Sequence, residues 1–94
     1  MSRAFVKEDD DGAPARFPLP AAGDPAFPLA AARALLQGAN QADTASAEEA
    51  TGHPWGDRRL VPAVRVLLAE ALDRGDDRIV TLATRFLRAA GEDV

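Results

Sequence analysis

Ninety-four residues, a net charge of −4 and no cysteine limit this chain to one small domain without disulfides or thiolate metal sites. No apolar run approaches the roughly 20 residues of a membrane span. No basic-then-apolar leader marks secretion, so a cytoplasmic protein is expected. Residues 1–56 carry four bases (Arg3, Lys7, Arg16, Arg33) against the acids Glu8, Asp9, Asp10, Asp11, Asp24, Asp43, Glu48 and Glu49, whereas residues 57–94 are balanced. A polyanion is repelled by the first part and weakly attracted by the second, which disfavours nucleic acid as a partner.

Residues 1–27 read as an extended, acidic and proline-rich arm ahead of a helical domain over 28–91. Five of the seven prolines fall at or before Pro28. Proline lacks an N–H and biases its predecessor away from the α region, so Phe17-Pro18-Leu19-Pro20 is expected to be extended. Phe5, Val6, Phe17, Leu19 and Phe27 are the arm's apolar residues, and the arm is either free or laid along the globule.

The first helix is expected near Pro28, which suits a first turn. Leu29, Ala32, Leu35 and Leu36 share a face, and Gly38 followed by Asn40 marks the end. Asp43 is a good N-cap for a second helix from about Thr44 to Thr51, with only Ala45, Ala47 and Ala50 to pack and Gly52 as its stop. His53-Pro54-Trp55-Gly56 makes a tight connection, with Asp57 as the next cap. The third helix, about Arg58 to Arg74, aligns Leu60, Val61, Val64, Leu67, Leu68, Ala71 and Leu72 at 100° per residue. Val66 lies off that arc, which predicts a second contact with the first helix. The fourth helix, about Asp77 to Ala90, places Ile79, Val80, Leu82, Ala83, Phe86, Leu87 and Ala90 on one face and Arg78, Arg85 and Arg88 on the other.

These periodicities predict an all-α fold of three or four helices arranged as two αα-hairpins behind the arm. Arg33-Ala34-Leu35-Leu36 with Ala39 echoes Arg65-Val66-Leu67-Leu68 with Ala71 at an offset of 32. One inserted residue then aligns Asp43 and Ala50 with Asp76 and Ala83. The spacing is that of two stacked helix-turn-helix units, too few for a solenoid.

Chemistry-bearing residues are sparse. His53, the single histidine, cannot make a zinc site alone. Beside Asp57 it is a base-and-orienter pair without a recognisable nucleophile. Trp55 is either an exposed anchor for a partner or a lid on the core. Arg74-Gly75-Asp76 spells an adhesion tripeptide, but a helix stop followed by a cap explains all three residues. Arg78, Arg85 and Arg88 form a stripe that either binds an acidic partner or phosphates, or is neutralised by acids such as Asp77 and Glu92. The run Glu8 to Asp11 lacks the fixed oxygen cage that calcium needs. No cofactor or metal is expected.

Met1-Ser2-Arg3-Ala4-Phe5-Val6-Lys7-Glu8-Asp9-Asp10 resembles the opening of bacterial Gre-type transcription elongation factor homologues. In those proteins such a leader precedes a coiled coil that enters RNA polymerase and a C-terminal β domain. The likeness covers ten residues of 94 and stops by Asp11. Nothing later resembles the coiled coil, its acidic tip or the β domain, so no Gre functional residue carries over. The resemblance implies a shared docking peptide, with Phe5 and Val6 as anchors, Lys7 to Asp11 as a charged flank, and an RNA polymerase-associated partner.

The sequence therefore points to a non-enzymatic protein-interaction module, with Phe5, Val6, Lys7, Trp55, Arg78, Arg85 and Arg88 as candidate contacts. A self-associating helical protein that completes its core as a homodimer is the alternative. A small enzyme or ligand-binding protein centred on His53 and Asp57 comes third.

Overall fold

The computed structural model describes residues 17–93. Four α-helices follow in order: α1 (Phe27–Asn40), α2 (Thr44–Thr51), α3 (Val61–Arg74) and α4 (Asp77–Ala89), with a 3₁₀ turn, Arg58–Leu60, ahead of α3. No strand occurs among the described residues. Packing is most extensive between α3 and α4 and between α1 and α2, so the chain forms two αα-hairpins as expected. α1 also packs on both α3 and α4 and joins the two.

Local chemistry sets the boundaries. Asp43 and Asp76 cap α2 and α4 in the same manner, each Oδ1 accepting the backbone N–H three residues on (Ser46, 3.2 Å; Ile79, 3.2 Å). α3 ends at Gly75, whose φ of 73° is left-handed; the Asp76 N–H closes on the Ala71 carbonyl at 2.8 Å and the Gly75 N–H on that of Leu72 at 3.3 Å. α1 is opened by Asp24, whose carbonyl accepts the Phe27 N–H and whose Oδ1 accepts that of Ala26. The third helix begins three residues later than the pattern suggests. Pro62 has no N–H to return to the Arg58 carbonyl, so residues 58–60 close as a 3₁₀ turn under the Asp57 cap.

The core gathers Leu35 and Leu36 of α1, Ala47 of α2, Leu60, Val64 and Leu67 before and along α3, and Leu82, Phe86 and Leu87 of α4. Phe17 is 5% exposed and belongs to this cluster, with Leu19 and Phe27 packed against it. The end of the arm is thus laid along the globule, Phe17 contributing to its interior while residues 21–26 stay exposed. Phe5, Val6 and Lys7 lie outside the described residues.

Several expectations fail for geometric reasons. Leu72 is 63% exposed and Val66 48%. The buried line of α3 is Leu60, Val64, Leu67 and Ala71; at 100° per residue Leu72 falls about 100° and Val66 about 135° away from it, beyond the reach of α1 or α4. α1 ends at Asn40, within the expected Gly38-to-Asn40 signal, but Gly38 itself is not the stop. It is buried within the helix where α2 crosses, and a Cβ there would lie 2.7 Å from the Ala47 Cβ and 3.0 Å from the Asp43 carbonyl oxygen. The left-handed residue after α1 is Ala42, at φ 58°. The internal echo holds for the caps but breaks at Ala50, which is exposed where Ala83 is buried.

Gly38→Ala is expected to destabilise the fold by about 1–3 kcal/mol through overpacking, more than its gain of up to about 1 kcal/mol in helix propensity. Ala42→Gly relieves the left-handed strain and should stabilise by up to about 1 kcal/mol. Urea unfolding followed by circular dichroism measures both, and the two midpoints should move in opposite directions.

Candidate functional site

The connection between the hairpins, residues 52–57, carries the two groups the sequence singled out. Gly56 (φ 81°) brings it against α4: a Cβ at Gly56 would sit 2.8 Å from the Ala89 Cβ. Glu48 of α2 fixes its middle, Oε2 accepting the Trp55 backbone N–H at 2.7 Å. Thr51, buried, donates its hydroxyl to the Ala47 carbonyl at 2.8 Å and accepts the His53 N–H at 3.2 Å.

Asp57 ends the loop, its side chain 8% exposed. The carboxylate receives Arg59 Nη2 at 2.6 Å, Arg59 Nε at 3.1 Å, the Arg59 backbone N–H at 2.9 Å and His53 Nδ1 at 2.8 Å. A carboxylate only accepts, so Nδ1 carries the proton. The Arg59 side chain, and next the His53 ring, hold the Asp57 carboxyl well below the usual range, against the opposing effect of burial. The same pairing raises the Arg59 guanidinium above its ordinary value. The His53 ring rests on Phe27 with centroids 6.1 Å apart. This is the orienter-and-base half of a hydrolytic arrangement. The Thr51 hydroxyl, two residues before His53, is already committed within its own helix.

Trp55 combines the two roles the sequence left open. Its ring meets Phe86 edge-on, centroids 5.0 Å apart and planes at 70°, closing the end of the core. The half-buried ring also lines an open cleft of about 430 Å³ between α2 and α4, together with Thr44, Glu48, Arg78, Leu82 and Arg85. Arg78 and Arg85 lie seven residues apart, two turns along one face of α4. Arg78 Nε donates to Asn40 Oδ1 at 2.7 Å, a neutral acceptor that leaves the charge uncompensated. Arg85 makes no ion pair among the described residues. Arg88 is exposed on the same helix and does not line the cleft. Neutralisation by Glu92 does not occur, because Glu92 is bonded to Arg65 of α3.

A second depression, of about 280 Å³ where α1, α3 and α4 converge, cancels its own charge. Arg33 pairs with Glu70 at 3.6 Å and Arg74 with Asp76 at 3.5 Å. Among the described residues no group of three or more potential ligands could hold a metal ion. The structure thus joins Trp55, Arg78 and Arg85 and leaves Arg88 apart. Glu48 and Asn40 were missed as organisers of this face. Their partners lie 7 and 38 residues away, the first beyond the helix stop at Gly52 and the second on another hairpin, where helical periodicity says nothing.

No known protein family, curated protein or solved structure matches this chain.

Asp57→Ala removes a cap and the anchor of the loop, and should cost about 1 kcal/mol. Since the folded carboxyl titrates below its unfolded value of about 3.9, the ionised pair's contribution is complete above about pH 4 and drains away as the pH falls further. The stability difference between wild type and Asp57→Ala, from urea titrations at stepped pH, should therefore narrow below pH 4.

Proposed function

We propose that this chain is a non-enzymatic protein-interaction module whose Trp55–Arg78–Arg85 cleft receives an acidic segment of a protein partner. The observation that carries the reading is the union, in one open cleft, of a half-buried tryptophan with two guanidiniums that form no ion pair among the described residues. Tryptophan and arginine are the residues most enriched where binding energy concentrates. Arginine forks match carboxylate geometry in two parallel hydrogen bonds. Glu48 lines the same cleft and keeps its charge, its Oε2 held by the Trp55 N–H, so two guanidiniums there face one carboxylate.

This reading moves the docking surface away from the arm. Phe17, Leu19 and Phe27 serve the chain's own core, so the arm's part in docking falls to Phe5, Val6 and Lys7. The leader's likeness to Gre-type homologues directs the search for a partner to transcription complexes. An enzyme centred on His53 ranks below, because the Asp57 carboxylate and the Thr51 hydroxyl are both engaged. Self-association draws support from a different observation, the exposure of Val66 and Leu72.

Trp55 is the chain's single tryptophan, so its emission reports on the cleft directly. Titration with a synthetic peptide rich in Asp and Glu and containing one leucine should shift that emission saturably. Affinity should fall at least tenfold in Arg78→Ala/Arg85→Ala and decline with added salt. Arg59→Ala, on the His53 loop, should leave it unchanged. Equal binding by the double variant would refute the cleft.

A further inference from the structure

We infer that the outward face of α3 is a two-fold contact between two copies of this chain, with the axis beside Ala69. Val66 and Leu72 are the large apolar side chains that remain exposed among the described residues. Both stand on α3, one three residues before Ala69 and the other three after it. Arg65 and Asp73, likewise exposed, stand four residues before and four after. Pro62 and Ala69, also exposed, complete an outward strip about 120° wide. Single exposed apolar residues need no explanation. Two of them bracketing a small residue on one face, within a symmetric pair of opposite charges, do.

The order of the charges selects the occupant and its direction. In an antiparallel pair related by a two-fold axis at Ala69, each residue lies level with its mirror position in the second copy. Arg65 then stands level with Asp73 of the other helix, twice over, and Val66 with Leu72. A parallel pair would set Arg65 against Arg65 and Asp73 against Asp73, which is repulsive at both ends. Asp73 makes no ion pair among the described residues. Arg65 gives Nη2 to Glu92 and retains further donors. Ala69 at the crossing point has no side chain beyond Cβ, so the two axes can approach to about 8 Å. With Ala69 at the crossing and Val66 and Leu72 about 60° to either side of it, this self-complementary strip fits a second copy of itself better than a strongly charged partner.

The contact is modest in size. A 14-residue helix is about 21 Å long, and one such pair falls at the low end of stable interfaces, below about 1,200 Å². The dimer is therefore weak, with a dissociation constant on the order of micromolar or above. No residue of α3 lines the Trp55 cleft, so this contact neither requires the cleft's function nor falls with it.

Sedimentation velocity of the full chain from about 5 to 500 µM should show its mass rising toward twice the monomer's. Leu72→Asp should hold it monomeric, and Asp73→Arg should weaken association at least tenfold. Arg65→Asp/Asp73→Arg should restore most of it. Because the chain has no cysteine, Ala69→Cys introduces a single thiol at the axis. Mild oxidation should link two copies far faster through it than through Thr81→Cys, on the outer face of α4. A chain that stays monomeric at every concentration overturns the inference. Equal cross-linking from both positions overturns it too. So does a monomer in which the Ala69→Cys thiol is shielded from thiol reagents, which would give the face to another segment of the same chain.

Discussion

Phe86 is fully buried in a cluster to which α1, α3 and α4 all contribute, and it also receives the edge of Trp55. Much of the remaining interior is alanine, which offers little area; a large side chain such as Phe or Leu contributes roughly 1.5–3 kcal/mol on full burial. The fold therefore rests on a few large, fully buried side chains: Phe86, Leu35, Leu36, Leu60, Leu87 and Val64. Phe17 adds a further ring from outside the helices. Closing this cluster is what brings the two hairpins together, and the same closure holds Trp55 at the edge of the α2–α4 cleft. The candidate site is a by-product of how the core is finished at that end.

The acids of this protein are largely consumed by backbone and by neighbours. Asp43, Asp57 and Asp76 cap helical segments, Glu48 holds the Trp55 N–H, and Glu70 and Glu92 pair with Arg33 and Arg65. Asp77 sits in the first turn of α4, where the helix dipole favours it. Residues 57–94 are neutral by count, yet the arginines of α4 meet none of these carboxylates. Net charge hides this separation. It arises because capping demands acids at helix starts, whereas the outer face of α4 runs toward its C-terminal end, where arginine is favoured.

What could be read from the sequence was what depends on nearest neighbours. Asp43 as a cap, Gly52 and Gly75 as stops and the apolar face of α4 each state a local preference that the structure obeys. Failures came wherever a residue's role depends on something distant. Gly38 looks like a terminator because glycine commonly ends helices, but here it clears space for α2, a fact set by Ala47 nine positions later. Leu72 fits the apolar arc of α3 on a helical wheel, yet α1 and α4 cover less of that wheel than the pattern spans. Ala42 occupies a left-handed position with nothing in its composition to announce it. At the candidate site, Trp55 and the arginines were visible as residue types. Their convergence was not, since it depends on how the Trp55 loop and α4 are brought together against the core.

The two outward features differ in kind, and the difference bears on how they would work together. The cleft is cationic, concave and formed between elements; the α3 strip is neutral, flat and formed on one helix. They share no residue, so pairing through α3 would leave both clefts open and hold them at a fixed separation. Two cationic clefts on one rigid particle favour a partner that repeats its acidic segment, because the second engagement becomes intramolecular and raises avidity without a new contact. Self-association would also stabilise a core this thin by mass action, as any state that binds only the folded form must. The exposed leucine of α3 and the unpaired arginines of α4 are then parts of one arrangement, in which a small domain gains both stability and grip by doubling.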